Sequence, residues 1–189
     1  AIIEIWQPGI MGGPALAGII SGRVNPSGKL AVTFPLASGQ IPVYYNMRQA
    51  ARPTQGQYQD IPTRPLYWFG HGLSYTTYEY GDVQLSDTII SKDGELTATV
   101  EVANTGERAG KETVHWFISD PAAKISRPMK ELKHFEKKEL AAGEKAVYTF
   151  EVDPMPDLSY LDSEENEFLE AGDYYVIVGD QKVKFRVEE

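Results

Sequence analysis

The chain has 189 residues, with 27 acidic against 18 basic side chains, a formal net charge of −9, 42% hydrophobic residues and no cysteine. The composition suits one or two globular domains, and the negative balance opposes binding to phosphate backbones. No apolar run approaches the roughly 20 residues that span a bilayer, so neither nucleic acid nor a membrane is expected as a partner, while the lack of thiols excludes disulfides and leaves the compartment open.

The first segment, Ala1-Ile2-Ile3-Glu4-Ile5-Trp6, has the pattern of a buried strand. The turn Pro8-Gly9-Ile10-Met11-Gly12-Gly13 follows, and Pro14 to Val24 predicts a short helix, because proline suits a first helical turn and Leu16, Ile19 and Ile20 share one face. A strand this apolar needs cover on both faces, more than one helix supplies. Residues 1–35 are therefore expected to be the end of a larger α/β layer whose earlier part lies upstream. Asn25-Pro26-Ser27-Gly28 breaks the helix, and Leu30 to Phe34 predicts a short strand.

Residues 36–79 hold prolines 42, 53, 62 and 65 together with Tyr44, Tyr45, Tyr58, Tyr67, Trp68, Phe69, Tyr75 and Tyr78. Disordered linkers are poor in aromatics, so this connector is expected to lie packed along a domain surface.

From about residue 80 the hydrophobic period becomes two. Leu96, Ala98, Val100 and Val102 alternate with polar residues, as do Ala146, Tyr148, Phe150 and Val152, and Val183, Phe185 and Val187. With Gly81 to Leu85, Thr113 to Ser119, Glu131 to Leu140 and Tyr174 to Gly179, this gives about seven strands of a β-sandwich over residues 80–189. Leu132 and Phe135, three apart on one strand, require a β-bulge or an irregular strand start if both are to face inward. Ala142-Gly143-Glu144 predicts a tight turn with Gly143 at positive φ.

These motifs carry a resemblance. Trp6-x-Pro8-Gly9-x-x-Gly12-Gly13, Asn25-Pro26-Ser27-Gly28-Lys29-Leu30, Thr33-Phe34-Pro35 and Leu66-Tyr67-x-Phe69-Gly70-x-Gly72-Leu73-Ser74-Tyr75-Thr76 resemble the C-terminal part of a glycoside hydrolase family 3 β-glucosidase. Val102-Ala103-Asn104-Thr105-Gly106, Ala109-Gly110, Arg127-Pro128-x-Lys130-Glu131-Leu132-Lys133-x-Phe135 and Gly143-Glu144 are similar to the fibronectin type III-like module that closes such enzymes. The resemblance implies a mainly β chain: a fibronectin type III-like, immunoglobulin-like β-sandwich preceded by a strand-helix remnant of an α/β sandwich domain. It also implies a parent that hydrolyses terminal β-linked sugars with retention, needs no cofactor or metal, and is periplasmic or secreted. The partners implied are the upstream catalytic domains of the same chain and a mono- or oligosaccharide substrate.

In this family the nucleophilic Asp belongs to an N-terminal barrel and the acid/base Glu to an earlier part of the sandwich domain; neither motif occurs here, so no catalytic residue is carried over. The stretch after Pro42 passes near the active-site side in the family, which makes Tyr44, Tyr45, Asn46 and Arg52 the residues nearest to substrate.

Other constellations have plainer readings. Asp162, Glu164, Glu165 and Glu167 form an acidic loop that nothing nearby desolvates. The Pro8 to Gly13 turn matches no phosphate-binding pattern, and Pro14 removes a donor. The connector aromatics are read as a seam against the β-module, with Arg48, Arg52 and Arg64 stacked or paired along it. His71, His115 and His134 are too dispersed to suggest a metal site. The alternative to a bracing fragment is a stand-alone carbohydrate-binding or protein-interaction module, for which Trp116, Phe117, Tyr174 or Tyr175 would have to form an exposed row on one sheet. Left without its sheet, the apolar segment 1–35 is expected either to dock on the β-module or to drive self-association.

Overall fold

The computed structural model describes residues 2–48, 61, 62 and 64–189. Helix α1 spans Gly12–Ile20, and a single 3-10 turn covers Ser38–Gln40. Strands β1 (Tyr78–Tyr80), β2 (Gln84–Leu85), β3 (Ile89–Ser91), β4 (Leu96–Asn104), β5 (Gly110–Ser119), β6 (Glu131–Leu140) and β7 (Lys145–Val152) follow in order. The short helix α2 (Pro154–Leu158) leads to β8 (Tyr160–Leu161), β9 (Glu167–Phe168), β10 (Gly172–Val178) and β11 (Gln181–Glu188).

Two sheets enclose one core. In the first, β4 is central, with β7 along one edge and β1 and β2 sharing the other. The second has the order β3-β11-β10-β5-β6, antiparallel except where β3 runs parallel to β11. The period-two pattern of the sequence becomes burial here: Leu96, Ala98, Val100 and Val102 of β4 face Trp116, Tyr174, Val176 and Phe185 of the opposing sheet. Trp116 and Tyr148 are fully enclosed, and each such aromatic removes a large apolar area from water.

Several expectations need correction. Residues 2–6 form no strand, and Ile2, Ile3, Ile5 and Trp6 are exposed. A strand persists only where a neighbour takes up its backbone groups, and no described segment pairs with this one. The helix begins at Gly12 and stops at Ile20, short of Val24, because the chain turns at Gly22 with φ +74. On that helix Leu16 and Ile19 are half-buried but Ile20 is exposed. The strand expected at Leu30 to Phe34 is reduced to one bridge, Phe34 with Tyr67, flanked by the Leu30 N–H donating to the His71 carbonyl at 2.8 Å.

Of the strand expected at Gly81 to Leu85 only its last two residues form β2, and a break at Gly81 to Val83 separates it from β1. The Gln181 side chain serves the break, its amide nitrogen donating to the Gly81 carbonyl and its oxygen accepting from the Val83 N–H, each at 2.8 Å. The additional short strands carry too few residues for a period to be read.

The bulge exists, with a different consequence. The β5–β6 register shifts between Trp116 and Phe117, so that His134 pairs with Trp116 and Leu132 with Phe117. Leu132 and Phe135 therefore do share a side, but it is the outer side of the sheet, and Phe135 is 63% exposed. The inward residue is His134, stacked on Phe150 with ring centroids 5.4 Å apart. Gly143 has φ +77, as the turn requires.

Candidate functional site

The candidate functional region is the seam where residues 19–48, 61, 62 and 64–77 meet the β-module. Asn25 stands at its centre. Its side-chain oxygen accepts from the Ser74 hydroxyl at 2.9 Å and the Tyr75 N–H at 2.8 Å, and its amide donates to the Ala109 carbonyl at 3.0 Å. Lys29 reaches Glu112 of β5 with both carboxylate oxygens in range, at 2.9 and 3.1 Å, and the Tyr80 hydroxyl donates to the same carboxylate at 2.8 Å. Glu112 is nearly enclosed, so a cation and a phenol are what make its burial tolerable. Burial, with that carboxylate adding to it, pushes the Tyr80 phenol far above its ordinary range.

Asn104 closes the seam from the module side. Its side chain is buried with every hydrogen-bonding position used: the oxygen accepts from the Thr76 hydroxyl and the Gly106 N–H, and the amide donates to the carbonyls of Arg108 and Leu140. The Asn104-Thr105-Gly106 turn signal thus also marks a docking point. Gly110 shows the same close fit, since a Cβ there would strike the Tyr78 hydroxyl and sit 2.7 Å from the Asn25 amide nitrogen.

A second contact zone lies over the outer face of β5. Tyr45 stacks on Phe69 at 4.4 Å, and both pack on Phe117, with His115 alongside. Burial holds the His115 imidazole below the ordinary 6.5, with Lys29 adding to the effect. Phe117 is only 7% exposed because the connector covers it. Between connector and sheet runs a cleft of about 740 Å³. Tyr45, Trp68, Phe69 and Phe117 line it together with Lys29, Glu112, Thr113, Lys130 and Asp180.

The residues placed nearest to substrate by resemblance separate. Tyr45 turns toward the module and into the cleft, its hydroxyl accepting from the Leu132 N–H at 3.4 Å. Tyr44 and Asn46, its neighbours, are exposed. Arg52 lies outside the described residues. Arg48 and Arg64 are exposed, and they contribute backbone contacts: Arg48 bridges to Pro128, and the Arg64 carbonyl accepts from Gln40.

Sequence reasoning missed one network. The side chain of Arg127 is nearly enclosed, donating to Asp120 at 3.2 Å, to Glu131 at 2.9 Å and to the Leu158 carbonyl at 2.7 Å, with its guanidinium 5.3 Å from the Tyr160 ring. It fixes the loop after β5, whose Met129 N–H donates to the Met47 carbonyl at 2.9 Å, one residue beyond Asn46. Arg127-Pro128 appeared in the sequence only as a family motif, and nothing local announces a buried arginine.

The acidic group sits at the tip of the β8–β9 hairpin, where Asp162 accepts backbone N–H bonds from Glu164 and Asn166. Those bonds lower the Asp162 carboxyl below its usual range. His71 is exposed and stacked on Tyr67 at 4.7 Å. Among the described residues no cluster of histidine and carboxylate side chains could hold a metal ion. Trp116, Phe117 and Tyr174 are buried and Tyr175 is partly accessible, so these four form no exposed aromatic row on a sheet face.

Comparisons with known proteins agree with this layout. Residues 1–75 match the family model of the glycosyl hydrolase family 3 C-terminal domain, and residues 112–182 match that of the fibronectin type III-like domain. The chain is 41% identical over 187 residues to a periplasmic beta-glucosidase of Salmonella typhimurium, aligning 95% of this chain with 24% of that protein. It is 38% identical over 186 residues to a putative beta-xylosidase of Formosa agariphila, covering 98% of this chain and 24% of the relative. The chain thus spans about a quarter of the length of the curated relatives it matches. Among solved structures, a beta-glucosidase from Listeria innocua in complex with glucose superimposes with a TM-score of 0.90 at 36% identity, over 98% of this chain and 28% of that one.

Proposed function

The chain belongs to glycoside hydrolase family 3, as the C-terminal part of such an enzyme, and on that premise we propose that it is the non-catalytic brace of a retaining β-glucosidase-like hydrolase. The single observation that carries this reading is the seam. Asn25, Lys29, Asn104 and Glu112 lock residues 19–30 and the connector onto the β-module, while the apolar residues 2–20 present their surface outward. An upstream α/β domain of the same chain is the natural cover for that surface. The parent acts on terminal β-linked sugars, and the name of the Salmonella relative supports a periplasmic or secreted site of action. We divide the chain into a remnant at 1–35, a connector at 36–79 and a module at 80–189. Tyr44 and Asn46, exposed on the connector, are the residues proposed to lie toward substrate.

Retention by double displacement needs two carboxyl groups about 5–5.5 Å apart flanking the scissile bond. Glu112 is engaged by Lys29 and Tyr80, and the hairpin acids are solvated. The isolated chain is therefore expected to show no hydrolysis of an aryl β-glucoside at high protein concentration. Turnover that persists through purification to homogeneity would overturn the reading.

A further inference from the structure

The cleft between connector and β-module is not needed for bracing, and its chemistry points to a ligand. Its volume of about 740 Å³ lies within the range of small-molecule sites. One wall carries Trp68, which remains 48% exposed although Phe69 next to it is packed on Phe117. A half-exposed indole in a concave wall leaves apolar area in water that a flat apolar ligand face would remove. The other walls bring hydrogen-bonding groups: Thr113, Lys130 and Asp180. Lys130 lies over the Phe117 ring at 4.4 Å, and neither it nor Asp180 forms an ion pair among the described residues. Lys29 is committed to Glu112.

This mixture selects among ligand classes. A purely apolar molecule would strand the half-buried Lys130, and a phosphorylated one would face Asp180 in a chain of net charge −9. A pyranose offers an apolar C–H face for the indole and a rim of hydroxyls that both donate and accept. We infer that the cleft between the connector and the outer face of β5 is a saccharide-binding site, with Trp68 as stacking platform and Lys130 and Asp180 as hydroxyl partners. The choice of β-glucosides as ligands rests on the function proposed above; the site itself is read on this chain without any turnover, so the two fail independently.

The test titrates cellobiose, and separately glucose, into the full chain while following the indole N–H resonances of Trp6, Trp68 and Trp116 by NMR. The expected result is a saturable shift at Trp68 in the millimolar range, no shift at the enclosed Trp116, and weakening by roughly tenfold in Trp68→Ala, as loss of one stacking face predicts. Asp180→Ala, at an exposed turn where folding is not at stake, weakens binding severalfold and carries the test if Trp68→Ala misfolds. No saturable shift in the millimolar range overturns the site. So does an equal response at exposed Trp6, which would mark unspecific stacking, or unchanged affinity in the Asp180 variant.

Discussion

Residues 2–20 carry six isoleucines and Trp6, and the β-module alternates valine, isoleucine and aromatic side chains, yet the first leaves most of its apolar side chains in water and the second encloses them. In the module, β4 and β5 each find neighbours that take up their backbone groups and an opposite sheet that covers their side chains. In the remnant, Ile2, Ile5 and Trp6 lack any second layer, so the hydrophobic pattern remains and the strand does not form. The difference teaches that period and composition state what a segment can become, while partners decide whether it does.

The sharpest way to break this comparison is to remove one tryptophan from each side of it. Trp116→Ala, in the enclosed core, is expected to cost about 3–5 kcal/mol in chemical denaturation. Trp6→Ala, at 56% exposed and edge-on to Phe34, should stay within about 0.5 kcal/mol of the parent chain. Equal losses would mean that the remnant is packed after all.

Asn104→Ala probes the boundary between the regions. It leaves the Thr76 hydroxyl and the Leu140 carbonyl without their partner and should cost about 2–3 kcal/mol, with the Thr76 and Thr77 amides losing exchange protection. A loss of stability confined to the module, with those amides unchanged, would show that Asn104 does not hold the connector.

Within the module, Gly143→Val is a smaller perturbation. A Cβ at that position meets no neighbouring atom, so only the positive φ is strained, and the expected cost is about 1–2 kcal/mol in thermal melting. An unchanged melting temperature would remove the turn from the account.

The smallest effect is pH-dependent. Burial and Lys29 depress the His115 pKa, so the folded state favours the neutral ring. Its contribution is fully present above 6.5 and is lost as pH falls through the window below that value. Asp120 and Asp157 are shifted upward from 3.8 by burial, so their contribution has the opposite sense, present in acid and lost as pH rises through their raised values. His115→Asn should flatten the stability profile below pH 6.5 by less than about 1 kcal/mol. A profile identical to that of the parent chain would show that the seam leaves His115 solvated.

The long strands are legible because eight or nine residues of alternation, as in β4, β7 and β11, leave little else to form. Glu131 to Leu140 is readable to the residue, and Leu132 and Phe135 call for a bulge or an irregular strand start, but which face lies inward is not legible. That depended on the connector covering Phe117, a contact between residues 72 positions apart in the case of Tyr45. Two-residue strands such as β8 and β9 carry no period. Asn25, Asn104 and Arg127 looked like a turn residue, a turn residue and a motif letter; their bonding partners lie 84, 36 and 31 positions away, beyond the reach of local pattern. The family resemblance pointed to the right segments without saying why those side chains are needed.

The most direct test of the whole account is amide hydrogen exchange on the full chain, read residue by residue at several protein concentrations. The account predicts that β4, β5, β7, β10 and β11 open as one cooperative unit and exchange slowest, that the amides of Leu30, Phe34, Gly70 and Met129 at the seam are intermediate, and that residues 2–11 exchange fastest in dilute protein. Protection of residues 2–11 that rises with concentration fits self-association through the uncovered segment. Protection of residues 2–11 equal to that of β4 in a monomeric sample would contradict the account, because it would place a complete partner for them within this chain.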